Sequence, residues 1–334
     1  MTKNRTRRSI IVLVVLILLT IAAALVACVV GQVHATPHDV TNTILMSWGV
    51  KSDGTTPRIV TSTLWEVRFP RLVIALAVGA GLGCAGALLQ GIFANPLAEP
   101  SIIGVSSGGA VFASGLLAIA SLAGVERSYG FLKWGTALAA FIGALLTTLL
   151  VYSLSRVQGK TVVVNLILVG VAINAMAGGF VTLFSFIGGT MAQSQVVFWQ
   201  LGSLAGAGWS SAVITLIITV IGIVIACLCA PKMDLLALGE NQARHLGVNV
   251  ERFRLCVIIL VAALVGVGVA FAGVIAFVGL IVPHAIRLII GPQHKWLLPT
   301  SAFGGAFVLL VADTCARTII STAELLSLIH ISEP

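Results

Sequence analysis

The sequence predicts an all-α integral membrane protein, a single multi-span helical bundle, and three observations carry the prediction. Hydrophobic residues make up 58% of the chain and charged residues only 9%, against roughly 25% charged in a soluble domain. The mean hydropathy is +1.11. Apolar stretches of about 20 residues, the length that crosses a hydrocarbon core, recur along the whole chain.

The basic N-terminus, with Lys3, Arg5, Arg7 and Arg8, precedes an uncharged run over 9–33. Val33-His34-Ala35 is similar to a signal-peptidase site. The run of about 25 residues exceeds the 7–15 of a cleaved signal, however, so it is read as a first anchor with a cytoplasmic N-terminus. Further spans are expected over 72–92, 102–123, 132–154, 163–187, 210–230, 255–276, 277–290 and 298–315. The single domain then covers 1–325. Gly273, Gly279 and Pro283 interrupt the seventh and eighth spans, which nearly touch.

Threading these spans places about 12 of the 19 Lys and Arg in the cytoplasm, the bias expected of a multi-pass protein of the cytoplasmic membrane. The outer segment 34–71 keeps a basic surplus, Lys51, Arg58, Arg68 and Arg71. A net charge of +8 does not imply nucleic acid, because the cations sit in short gaps between apolar runs rather than in aromatic-laced clusters. The partner of this surface is membrane lipid.

The 35 glycines concentrate in spans, as in Gly79-x3-Gly83 and Gly104-x3-Gly108, a spacing that lets helix backbones approach closely. The six cysteines lie in or beside spans and read as small packing residues, with neither a disulfide framework nor a metal site implied. The first seven spans carry no ionisable residue at mid-depth, where a gradient-driven carrier would hold its coupling ion. His284, Arg287 and Asp313 fall near span ends, as interfacial caps or pairs. Gly159-Lys160-Thr161 ends like a phosphate loop, but Leu154 stands where its first glycine belongs, so the chain has no ATP site of its own. No catalytic residue is expected. A translocation path lined by small and apolar residues is expected from helix composition, at Gly83, Gly104, Ser106, Ser107, Gly108 and Asn174.

Three segments are polar or irregular within this apolar chain. Arg68-Phe69-Pro70-Arg71 starts the second span, and Asn95-Pro96-Leu97-Ala98-Glu99-Pro100 with Gly104-Val105-Ser106-Ser107-Gly108 makes a fixed inner turn. The loop 234–254 contains Leu238-Gly239-Glu240 through Ala243-Arg244-His245-Leu246-Gly247-Val248, in which Gly247 suits a helix C-cap and Asn249 an N-cap. That pattern predicts two short surface helices joined by a bend. The third segment runs Phe277-Val278-Gly279-Leu280-Ile281-Val282-Pro283-His284, and further on Ala312-Asp313-Thr314-Cys315-Ala316-Arg317.

In these motifs the chain resembles the FecCD-type permeases of ABC importers, from about residue 60 to about 325. The resemblance implies a non-enzymatic translocation subunit of ten spans, paired with a second copy or paralogue. It further implies a cytoplasmic ATPase dimer, which alone binds ATP and Mg, and an extracytoplasmic substrate-binding protein. Gly239, Glu240, Ala243, Arg244, Leu246 and Gly247 match the family's ATPase-coupling segment, and Arg68, Arg71 and Arg317 its outward arginines, which receive acidic residues of the binding protein. The cargo implied is an iron(III)-siderophore chelate, with vitamin B12 or haem as the alternative within the family and a gradient-driven transporter as the alternative outside it. The segment 326–334 departs from the family, since nine residues cannot supply a further span; it reads as a truncated or non-native tail.

Overall fold

The computed structural model describes residues 2–31, 33–49, 55–124 and 129–319; Lys51 and the atypical segment 326–334 lie outside them. Helix α1 is the N-terminal anchor, Thr2–Val29. A short helix α2, Pro37–Ser47, follows, its start closed by reciprocal Thr36 and Asp39 hydrogen bonds. Helix α3, Arg58–Ser62, then runs through a π-turn, Thr63–Arg68, into α4, Phe69–Ile92.

These last three form one continuous apolar stretch of 35 residues. The second span therefore starts at Arg58 rather than at 72. Pro70 lacks an amide to donate, and the wider π-turn just before it accommodates the gap without ending the helix.

The inner turn folds as expected. The Asn95 side chain accepts from the Leu97 amide at 2.9 Å, a 3₁₀ turn spans Pro100–Ile103, and Gly104, at φ +82°, redirects the chain into α5, Val105–Leu122. Helix α6, Tyr129–Leu154, connects to α7, Val163–Ile187, through a small antiparallel hairpin of β1, Arg156–Val157, and β2, Lys160–Thr161. An unexpected helix α8, Gly189–Leu201, precedes α9, Trp209–Leu236. Helix α10, Glu240–His245, is followed by α11, Val250–Ala272, then α12, Val278–Ile290, and α13, His294–Ile319.

Among the described residues eight helical stretches are long and apolar enough to cross a membrane. The expected eighth span is corrected. Helix α12 has 13 residues, about 20 Å of rise at 1.5 Å per residue, short of a hydrocarbon core of roughly 30 Å. It begins beside the far part of α4: the Gln90 side-chain amide donates to the Leu280 carbonyl at 3.0 Å.

Helix α4 is the centre of the bundle, with 78% of its most apolar window buried, whereas α1 buries 11% and α7 22% of theirs. Its glycines permit that burial. A Cβ placed on Gly83 would lie 2.1 Å from the Ser301 carbonyl oxygen, and one on Gly86 1.8 Å from that of Gly279. Backbones of α4, α12 and α13 therefore touch directly, the arrangement in which small residues replace side-chain interdigitation. Helices α4 and α13 run antiparallel. Arg71 and Asp313 meet at one end of the bundle, and His294 meets Asp234, near the end of α9, at the other.

Candidate functional site

The polar residues singled out by the sequence gather at three places: the short helix α10, the inner turn, and the Arg71 end of the bundle.

Helix α10 has only six residues, well below the dozen or so that an isolated helix needs in water. Its shape depends on how it is anchored. Gly239, at φ +117°, ends the turn after α9, and Gly247, at φ +85°, closes α10. Around Gly247 the Val248 amide donates to Ala243 and the Gly247 amide to Arg244, each at 3.0 Å, the paired bonds of a Schellman close. Ala243 is fully buried between α9 and α11 while its neighbours on α10 face outward. Glu240 in the first turn and Arg244 and His245 in the last complement the helix dipole.

A second anchor is Arg254, 1% exposed, whose Nη2 lies 2.6 Å from Glu240 Oε1. Arg244 Nη2 stands 3.6 Å from Glu240 Oε2. Leu238 and Leu246, both 60% exposed, project beside α10. The result is a shallow knob with two exposed apolar side chains and a charged rim.

The expected second surface helix is absent here. Asn249 does act as an N-cap, accepting from the Arg252 amide at 3.2 Å, but the helix it starts is α11 itself, which begins before its apolar part. Gly247→Ala is expected to weaken α10 by about 1 kcal/mol, because an L side chain resists positive φ. Hydrogen exchange at the amides of 243–248 should then speed by roughly fivefold, that free energy expressed as a rate ratio.

At the inner turn the structure joins two of the expected path residues, and three others are buried. The Ser107 hydroxyl donates to Asn174 Oδ1 at 2.6 Å, and Asn174 Nδ2 donates to the Ser101 carbonyl at 3.0 Å. This node ties α5, the 3₁₀ turn and α7 together, and Ser106 beside it is half-buried. Gly83, Gly104 and Gly108, by contrast, are buried in seams. Gly83 meets α13, Gly104 meets Thr147 and Val151, and Gly108 meets Gly143 and Thr147. These three glycines serve close helix packing in this arrangement.

The three arginines expected to receive the binding protein lie together at the other end of the bundle, where each contacts groups of this chain. Arg68, 5% exposed, donates to the Cys28 carbonyl at 2.8 Å and to those of Val29 and Val33, capping the last turn of α1 with a cation. Arg71 grips Asp313 with Nε at 3.1 Å from both oxygens and Nη2 at 2.9 Å. Arg317 Nε completes the triad at 3.2 Å from the same carboxylate.

Two sites were missed in the sequence. Buried Arg254 sits three residues after Glu251, an i,i+3 pair just ahead of an apolar run, which was a readable signal. His294 Nδ1 to Asp234 at 2.7 Å joins positions 60 apart, which leave no local signature. Among the described residues no group of three or more His, Cys, Asp or Glu gathers as a metal site.

A family model described as the FecCD transport family matches residues 12–331. The chain is 39% identical over 264 residues to the hemin transport system permease HmuU of Yersinia pestis, covering 78% of this chain and 77% of that one. It is 39% identical over 262 residues to the vitamin B12 import system permease BtuC of Vibrio vulnificus, covering 78% and 76%. Its fold is similar to a metal-chelate type ABC transporter solved in an inward-facing conformation. That match has a TM-score of 0.76 and 30% identity, and covers 92% of this chain and 90% of the other.

Proposed function

This chain belongs to the FecCD transport family, and from that premise we propose that it is the non-catalytic permease subunit of an ATP-driven importer in the cytoplasmic membrane. The observation that carries the reading is α10: six residues held by one buried alanine and one buried arginine, with Leu238 and Leu246 left facing outward. Such a knob supports docking of a cytoplasmic ATPase dimer whose closure drives the bundle. In this reading α10 and the N-terminus face the cytoplasm and the Arg71 end faces outside, where an extracytoplasmic binding protein would deliver cargo. A second permease copy or paralogue would complete the path. In this reading ATP and Mg bind the ATPase, and this chain holds no cofactor.

The cargo class is a bulky metal chelate. Hemin and vitamin B12 stand in the names of the relatives and metal chelate in the description of the structural neighbour. An iron(III)-siderophore is the narrower proposal within that class. Binding of ferric siderophores, haemin and cobalamin to the partner binding protein would choose among them.

Proteoliposomes containing this chain and its ATPase test the importer itself. Uptake is expected to require ATP inside the vesicle and to survive an ionophore. Uptake without ATP that collapses with the ionophore would overturn the reading in favour of a gradient-driven transporter.

A further inference from the structure

We propose that Glu251 is a positioning residue that links α10 to the start of α7, carrying displacement of the docking helix into the helix that bears Asn174. The inference rests on the importer reading above and adds a route that none of the sequence motifs marks.

Glu251 stands in the first turn of α11, 21% exposed, and its two carboxylate oxygens serve different neighbours. Oε2 accepts from the Thr161 amide at 3.1 Å and from the Thr161 hydroxyl at 2.7 Å. Oε1 faces Arg254 Nη1 at 3.5 Å and Arg244 Nη2 at 3.9 Å. The Glu251 carbonyl also accepts from the Tyr152 hydroxyl, near the end of α6, at 3.4 Å. Thr161 ends the β1–β2 hairpin, and Val162 after it is the N-cap of α7. A continuous set of polar contacts therefore runs from Glu240 on α10 through Arg254 and Glu251 to the residue that launches α7.

The links differ in a way that singles out the middle one. Glu240 to Arg254 at 2.6 Å and Thr161 to Glu251 at 2.7 Å are short, charge-assisted bonds. Arg254 to Glu251 at 3.5 Å is an ion pair without a hydrogen bond: Arg254 Nη1 and Glu251 Oε1 are both buried and make none. Buried groups in that condition are costly to leave so. A small movement of α10 that draws Arg254 toward Glu251 would satisfy both. The two short bonds are rigid attachments, and the open pair between them is the element with a second arrangement available.

Helix α7 is suited to receive such motion. Gly178 and Gly179 on it face open space. Its ties to the bundle include the Ser107–Asn174 node and the approach of Gly170 to Ile102. A brace that merely stabilised the hairpin would need only the Thr161 bonds. It would not need the second oxygen aimed at two arginines of the docking segment.

The test uses the complex of the full chain with its ATPase, in lipid nanodiscs. A fluorophore is placed at Val164→Cys, a 64% exposed position at the start of α7, after Cys256 and Cys315 are changed to serine. In the otherwise wild-type chain, ATP with vanadate is expected to shift the emission. Glu251→Gln keeps the acceptor for Thr161 but loses the charge that faces the arginines; Thr161→Val removes the hydroxyl. Each is expected to shrink the nucleotide-induced shift by about fivefold or more, the low end of ordinary coupling between sites. ATP hydrolysis and melting temperature should stay near wild type, and Thr161→Ser should restore the shift.

A shift of wild-type size in both variants would overturn the inference. So would its loss together with hydrolysis and thermal stability, which marks a simple brace, or a bound ATPase whose nucleotide leaves the wild-type label unmoved. A wild-type chain that fails to bind the ATPase at all would instead overturn the importer reading.

Discussion

Gly86→Ala is expected to cost the chain at least about 3 kcal/mol and to remove most of its monodisperse, folded fraction in detergent. Ordinary overpacking costs about 1–3 kcal/mol because side chains can shift into other rotamers. Here the obstacle is main chain. The added Cβ would lie 1.8 Å from the Gly279 carbonyl oxygen and 2.6 Å from its carbon, so α4 and α12 must part along their length. The matching control is Gly178→Ala on α7, where no atom lies within 4 Å. That change gains alanine's helical preference, about 1 kcal/mol, and should leave the melting temperature unchanged or raised. Elution profiles and thermal melts of the two variants side by side check the claim, and equal behaviour would contradict the packing described for the seam.

The second large effect is expected at the opposite kind of contact, one made wholly by charge. Asp313 is the carboxylate that Arg71 and Arg317 share, and their side chains are only 12% and 9% exposed, with Asp313 itself at 9%. Asp313→Ala removes that anion from both guanidiniums. Breaking a buried pair from one side costs about 3–5 kcal/mol. The combination Asp313→Leu, Arg71→Met and Arg317→Met is expected to melt higher than Asp313→Ala alone, because apolar side chains replace the whole ion-paired set. If the triple variant is the less stable, the arginines owe their burial to something besides the carboxylate.

These two sites also show where the sequence could be read and where it could not. The spans were legible because lipid imposes a composition that no soluble helix shares, and α5, α6 and α7 lie where their apolar windows predict. The cap at Asn249 and the αL turn at Gly247 were legible because each depends on its own few neighbours. Helix α8 was missed because GTMAQSQVVFWQL carries neither a charge pattern nor a continuous apolar run. The pairing of the arginines was hidden because Arg71 finds its anion 242 positions away. The packing role of the path glycines was hidden for a related reason. Small residues mark both a lining and a seam, and only the position of Ser301 and Gly143 shows that Gly83 and Gly108 pack in a seam.

Between Ala272, where α11 ends, and Val278, where α12 begins, the chain has no helix. Its Val274 amide donates to the Trp199 carbonyl, and its last residue before α12, Phe277, holds φ at +68° with its amide bound by the Glu99 carboxylate at 3.0 Å. Acyl chains cannot solvate peptide groups outside a helix. One flank of this short stretch must therefore be hydrated or covered by protein, and the Glu99 carboxylate and the Trp199 carbonyl cover two of its amides. The break between α11 and α12 is thus marked by its main chain, close to Glu99 and Phe277, and not by any side chain that a hydropathy profile would flag.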